Sequence, residues 1–388
     1  MRAITVHPRR VQTRVLPLLL LALVFAAAVL APLGVPAHAL VQSRAAAVER
    51  ASEVVQAHRE ELGIPGISAA VAIDGTIVWS AGFGYADLEN RVPARGTTLY
   101  RVGSVSKPLT ATAVVQLALD GRLDLDAPVQ RYVPSFPEKE HPVTTRLLAG
   151  HLAGIRHYRG NESVAEGQRH YDDVVEALAI FGEDPLLFAP GERYSYSSYG
   201  WNLISAVVQG AAGQDFLSYM QSNVFEPLGM IHTYADDPRR IIPDRTRFYE
   251  VSDGRLRNAP FVDNSYKWAG GGFIASVEDL VRFGSAHLRP GFLPQEGLEL
   301  LFTSQRTNGG EQIGYGIGWR VGSFGELFAE DSPVRGGDLA PLRVMHHGGS
   351  SVGGRAFLLL VPERRMVVAL LVNYSRFGGG RVAGDVAL

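Results

Sequence analysis

Cysteine is absent from this chain of 388 residues. That single absence excludes disulfides, thiolate nucleophiles, zinc ribbons, iron–sulfur clusters and acylation of an N-terminal Cys. Only His, Asp and Glu remain as metal ligands. The 11 His are scattered with no His-x-x-x-His pair, so no metal or other cofactor is expected, and His151 and His157 are read as local hydrogen-bonding residues. Lysine is almost as scarce: among 37 basic residues only Lys107, Lys139 and Lys267 are lysines. A buried Lys can shed its proton near neutral pH and an Arg cannot, so each of the three needs a reason. Positive charge is short overall, with 39 acids against those 37 bases, and residues 1–39 hold four of the Arg and no acid. The remainder is mildly acidic and a poor partner for nucleic acid. Hydrophobic residues at 46% beside 20% charged ones, without repeats, describe a compact chain, not a disordered or collagen-like one.

The N-terminus has its own pattern. Arg2, Arg9, Arg10 and Arg14 precede an uncharged run from Val15 through Leu33, and Ala37-His38-Ala39 offers a small-x-small cleavage site. Residues 1–39 are therefore expected to be a signal peptide, with residues 40–388 forming one domain exported to the periplasm or the extracellular space. Retained instead, a run of ~20 apolar residues is long enough to anchor the chain in a bilayer, the only membrane contact foreseen.

Further along, Ala45–Glu61 is a polar helical lead-in. Ile64–Ile73 and Thr76–Tyr85 are β-rich runs joined by the hairpin signal Asp74-Gly75. From Ser104 to Leu119, Leu109, Ala113, Val114, Leu117 and Ala118 recur at helical spacing and Gly121 ends the helix. The stretch from about 140 to 290 reads as helix-rich and contains the expected all-α part, with helices at Asp173–Phe181, Trp201–Ala212, Asp215–Asn223 and Val277–Leu288. Strands return at Gly316–Val321, Ala356–Val361 and Met366–Asn373, and Phe324–Pro341 reads as a polar surface insertion. The expected class is α/β (α+β): an antiparallel sheet from about 45–100 and 310–375, flanked by helices and joined to a helical region from about 104 to 290.

Three clusters can carry chemistry. Ser104-Val105-Ser106-Lys107 puts a hydroxyl at a helix start and an amine one turn later on the same face. Developing negative charge is favoured at such a terminus, and the amine becomes a base if burial or a cationic neighbour lowers its pKa by ~3 units. The plain alternative is a capping Ser with a snorkelling Lys. Second comes Tyr194-Ser195-Tyr196-Ser197-Ser198-Tyr199, where a phenol can relay a proton, or where the tyrosines are simply core aromatics. Third is His346-His347-Gly348-Gly349-Ser350-Ser351 before the last strands, whose glycines would let a substrate lie along a strand edge.

Ser104-x-x-Lys107, Tyr196-Ser197-Ser198 and His347-Gly348-Gly349, in that order, resemble the three motifs of the serine β-lactamase and penicillin-binding-protein superfamily, in its class C-like branch. Longer stretches resemble the β-lactamase-like serine peptidases of animal mitochondria and their bacterial relatives. Examples are Gly84-Tyr85-Ala86-Asp87-Leu88-Glu89-Asn90, Gly154-Ile155-Arg156-His157-Tyr158 and Val262-Asp263-Asn264-Ser265-Tyr266-Lys267-Trp268-Ala269-Gly270-Gly271-Gly272. The resemblance covers about residues 45–375. It implies Ser104 as the acylated nucleophile, Lys107 as its activating partner, Tyr196 as proton relay, and an oxyanion hole from the backbone N–H groups of Ser104 and Ser350. Ser198, His347, Gly348 and Gly349 would meet substrate, with His346 the other candidate for the third motif.

Two departures stand out. Ser198 replaces the Asn common in the second motif, and His347-Gly348-Gly349 replaces Lys-Thr-Gly, so a substrate carboxylate would lose a lysine and a hydroxyl. Both weigh against efficient β-lactam cleavage. The expected activity is that of a serine hydrolase acting on peptides or small acyl substrates as a peptidase, esterase or amidase. A D-alanyl-D-alanine carboxypeptidase or weak β-lactamase is the alternative, and a non-catalytic or self-assembling scaffold the rival from another class. A homo-oligomer is compatible with the sequence. Gly349-Ser350-Ser351-Val352-Gly353 also fits the nucleophile elbow of α/β-hydrolases, but that elbow needs a helix after it and a later His, and His347 is the last His in the chain.

Overall fold

The computed structural model describes residues 37–328 and 339–388. The chain divides into two units, residues 1–50 and 51–388. Of the first, only the start of the helix Ala37–Glu61 is described, and the expected signal segment through Pro36 lies outside the described residues. Among the described residues no helix is long and apolar enough to cross a membrane.

In the second unit both chain ends feed one sheet. β1 (Gly66–Ile73), β2 (Thr76–Asp87) and β3 (Val92–Pro93) come first. After β4 (Tyr100–Arg101) and β5 (Thr233–Ala235) come the hairpin β6 (Tyr249–Ser252) and β7 (Arg255–Asn258), then β8 (Phe273–Ala275). β9 (Arg320–Ser323), β10 (Arg343–Ser351), β11 (Gly354–Val361) and β12 (Met366–Val372) close the chain. The seven-stranded sheet runs β3-β2-β1-β12-β11-β10-β9 and every pairing in it is antiparallel. Asp74 (φ 54°) and Gly75 (φ 79°) both take positive φ, as a two-residue turn whose twist matches the strands requires.

β12 is buried at all seven positions, which demands a layer on each face. The helix Val277–Ala286 supplies one: Gly284 sits against Val367 and Leu360. The C-terminal helix Gly379–Ala387 supplies the other, where Gly379 and Gly380 sit against Phe357, whose side chain points opposite to Leu360 by strand alternation. The helix Ser106–Leu119 is buried on nearly every side, consistent with its apolar residues all round. It packs against Ser198–Ala212, and its buried residues share one core with residues of β1, β11 and β12.

Four expectations need refinement. The middle region is helix-rich but also carries strands: β5 and β8 pair there, with β4 from before it joining β8, and β6–β7 form a hairpin. Asp173–Phe181 contains only a 3-10 turn, Glu176–Ile180. Gly316–Val321 is a strand only from Arg320 on, because Gly318 (φ 77°) crosses the buried helix so closely that a Cβ would lie 2.7 Å from Ala111 Cβ. The supposed polar insertion opens with a short helix, Phe324–Phe328, anchored by fully buried Phe324, and residues 329–338 lie outside the described residues.

Candidate functional site

Ser104 is not the first residue of the long helix. It sits in a 3-10 turn, Gly103–Val105, that runs into Ser106–Leu119. The offset of three residues still brings Lys107 beneath it: Nζ lies 3.0 Å from Ser104 Oγ, 3.2 Å from Ser198 Oγ and 2.6 Å from the Gly270 carbonyl. Lys107 is fully buried with no carboxylate partner among the described residues, and burial, then the charge of Arg320, hold its pKa well below 10.5. A neutral amine fits this cage. Its two N–H bonds go to Gly270 O and Ser198 Oγ, and the lone pair faces the Ser104 hydroxyl.

Tyr196 completes the cluster by donating from Oη to Ser104 Oγ at 2.9 Å. Burial raises its pKa to about 12, partly offset by that hydrogen bond, so it holds its proton at neutral pH. Its placement depends on two histidines. Ser197 N donates to His151 Nδ1 and Ser198 N to His157 Nδ1, both at 3.1 Å. These bonds span more than 40 residues, so the expectation of local pairing fails; each ring instead pins the Tyr196 segment from across the fold. A ring that accepts at Nδ1 must be neutral there, and burial lowers both pKa values, that of His157 to about 4.

The third cluster is strand β10. β9 pairs with it only as far as His346, so among the described residues positions 347–351 have no strand neighbour on that side. Gly349 owes its lack of a side chain to the core rather than to a substrate, since a Cβ would lie 1.9 Å from Val102 O. Gly103 (φ 51°) has a similar reason: a Cβ there would lie 2.5 Å from Ser350 N. These two glycines press the Ser104 turn onto β10 and bring the backbones of Ser104 and Ser350 together. After Ser351 the chain turns directly into β11, with no helix to make a nucleophile elbow.

His347, not His346, faces the Ser104 cavity; His346 stacks on Phe357. Both nitrogens of His347 are spent within the protein. Nδ1–H donates to Gly348 O at 2.6 Å, and Nε2 accepts from Tyr315 Oη at 2.8 Å. Its ring is 2% exposed, with a pKa well below 6.5 through burial and the nearby Lys107, so it offers a substrate no hydrogen bond. Ser198 is likewise turned inward to Lys107.

A cavity of about 890 Å³ opens over these residues, lined by Ser104, Tyr196, Ser198, His347, Gly348, Gly349 and Ser350. Sequence reasoning did not assign Lys267 and Arg320 to this wall, although the scarcity of lysine was a signal for the first. The one group of possible metal ligands among the described residues, His170, Asp237 and Asp263, does not line the cavity, and its members already bond to each other and to Arg239.

Comparison with known proteins identifies the family. The β-lactamase family model matches residues 51–387. The mitochondrial serine β-lactamase-like protein LACTB of Homo sapiens is 33% identical, covering 89% of this chain and 80% of that protein. Esterase EstB of Burkholderia gladioli is 32% identical over 76% of this chain and 82% of its own length. Among solved structures, an octameric penicillin-binding protein homologue from Pyrococcus abyssi superposes with a TM-score of 0.73 at 26% identity, covering 88% of this chain and 76% of that one. The chain belongs to the β-lactamase family and is a serine hydrolase with the β-lactamase/transpeptidase-like fold.

Proposed function

We propose that Ser104 is the acylated nucleophile of a hydrolase that cuts amide or ester bonds in peptides or small acyl compounds. The observation that carries this is the pair of contacts on one oxygen: Ser104 Oγ lies 3.0 Å from a buried, carboxylate-free Lys107 and 2.9 Å from the Tyr196 phenol. In the proposed sequence Lys107 takes the Ser104 proton as Oγ attacks the carbonyl carbon. The N–H groups of Ser104 and Ser350 hold the oxyanion, and the leaving group departs with a proton relayed through Tyr196. Water then attacks the acyl-enzyme, and Ser104 regains its proton.

The wall around His347 supports peptidase or esterase action over β-lactam cleavage, because a carboxylate there finds an imidazole whose nitrogens are already bonded. Export by the N-terminal segment, to the periplasm or beyond, is part of the same proposal, and a homo-oligomer accords with the octameric relative. Intact-protein mass spectrometry after treatment with a fluorophosphonate tests the nucleophile. One adduct on the native chain and none on Ser104→Ala is expected; an adduct that survives in Ser104→Ala, or no adduct at all, refutes it.

A further inference from the structure

The three lysines have different fates. Lys139 donates to the carbonyls of Gly182 and Asp184, and Lys107 is held by Ser104, Ser198 and Gly270. Lys267 is 5% exposed and has neither a hydrogen-bond acceptor nor a carboxylate within ion-pair distance among the described residues. What remains open of it is in the wall of the Ser104 cavity.

Its position is set by the turn Ser265–Lys267, which leads into the helical turn Trp268–Gly271 that supplies the Gly270 carbonyl to Lys107. A methyl group on Gly271 would touch both Lys267 Cδ at 3.7 Å and the Gly103 carbonyl carbon at 3.6 Å, so the Lys267 stem runs beside the nucleophile turn. Nζ stands 5.1 Å over the Tyr266 ring. The nearby acid, Asp236, is taken: its carboxylate accepts from Arg101 Nε at 2.7 Å and Asn264 Nδ2 at 2.8 Å, with Arg245 at 3.7 Å. Burial, Arg101 and Lys107 lower the Lys267 pKa to about 7, against the pull of Asp236.

The rest of the cavity is also cationic. Arg320, Arg355 and Arg381 line it against a single described acid, Glu250, and none of the three is in an ion pair among the described residues. An unmet ammonium in a low-dielectric wall gains more from an anion than one in water, and a charge-assisted hydrogen bond is the strong kind.

We propose that Lys267 receives an anionic group of the substrate, and that acyl compounds bearing a carboxylate are the substrate class of this site. The inference rests on Ser104 being the nucleophile. It gives the cavity the cation that His347 cannot supply, from an element outside the three motifs.

Matched esters test it. The full chain is assayed for kcat/KM on 3-acetoxybenzoate against phenyl acetate, and on mono-4-nitrophenyl glutarate against 4-nitrophenyl valerate, which place the carboxylate on the leaving group or on the acyl group. The native chain should prefer the charged member of at least one pair by about tenfold or more. Lys267→Met should cut that ratio by about tenfold, mainly through KM of the charged ester, and Lys267→Arg should keep most of it. If Lys267→Met does not fold, Lys267→Gln carries the same comparison. No preference in the native chain, or a ratio unchanged in the neutral variant, overturns the assignment. Fluorophosphonate labelling separates the two layers: with Ser104 labelled, an unchanged ratio removes Lys267 alone; with Ser104 unlabelled, both readings fall.

Discussion

Replacing Gly103 with Ala perturbs the point where the nucleophile turn meets β10. Two effects are expected and they can be separated. Gly103 has φ 51°, where an L side chain costs about 1–2 kcal/mol. The new Cβ would also lie 2.5 Å from Ser350 N and 2.7 Å from Ser350 C and O, where ordinary contacts need about 3.5 Å, so turn and strand must part by ~1 Å. A misplacement of ~1 Å between reacting groups lowers a rate by about a hundredfold, and here it would move one oxyanion donor away from the other. Gly121→Ala is the control. It has the same backbone strain, with φ 69°, and nothing within 4 Å of its Cβ. Both variants should lose about 1–2 kcal/mol from backbone strain in urea unfolding, and Gly103→Ala about 1–3 kcal/mol more from the overpacked contact. Only Gly103→Ala should lose about a hundredfold in the second-order rate of fluorophosphonate labelling. Equal labelling rates for the two variants would refute the view that the Gly103–Ser350 contact sets the oxyanion geometry.

Because Lys107 must shed its proton to act as a base, kcat/KM should climb as pH rises from acid through the lowered Lys107 pKa; a flat profile between about pH 5 and 9 would sink the Lys107–Tyr196 relay. Lys107→Arg, which cannot deprotonate, should remain depressed by about 10²-fold or more across that range in the same assay. A third prediction concerns stability. His287 is fully buried, with Nδ1–H donating to Phe283 O at 2.8 Å and Nε2 accepting from Thr112 Oγ1 at 2.9 Å, and burial lowers its pKa from 6.5 to about 4. Between those values the unfolded chain binds the proton and the folded one does not, so stability falls as pH drops through 6.5 toward 4. His287 alone should contribute a loss of about 2 kcal/mol between pH 7.5 and 5. Urea unfolding of the native chain and His287→Gln at both pH values measures it; parallel losses in the two proteins would refute the assignment.

The sheet was legible because its signals are local. Asp74-Gly75 dictates the first hairpin, and the uninterrupted apolar runs of β11 and β12 can only be strands covered on both faces. Ser104-x-x-Lys107 was legible because one helical turn is all the geometry it needs. What stayed hidden depends on contacts distant in sequence. His151 and His157 carry no mark of their partners, because an imidazole accepting from Ser197 or Ser198 looks in sequence like any other His. Gly318 reads as a strand residue until the buried helix beneath it is known, and Gly316 until the Leu301 carbonyl against it is known. Ser198 was assigned to substrate by motif position, and only the fold shows it bonded to Lys107.

The same long-range contacts explain how the site tolerates its altered third motif. A lysine at position 347 would share the surroundings of Lys107, and burial first, then the charge of Lys107 when it is protonated, keep the His347 ring neutral. A second cation there would favour deprotonation of Lys107 further, yet it would need its own counter-ion in a wall with no acid but Glu250 among the described lining residues. With His347 this position of the wall stays uncharged, because the imidazole meets both hydrogen-bond requirements through Gly348 O and Tyr315. On the proposed reading the cationic function comes from a group whose charge is left unmet by the protein. Lys267 meets that condition: the Arg101–Asp236 pair beside it is nearly self-neutralising, and its amino group can gain or lose a proton near pH 7 without disturbing a hydrogen bond. In the proposed mechanism proton uptake by Lys107 is thereby kept for the reaction, and the charge that meets the substrate is carried by a different element of the fold.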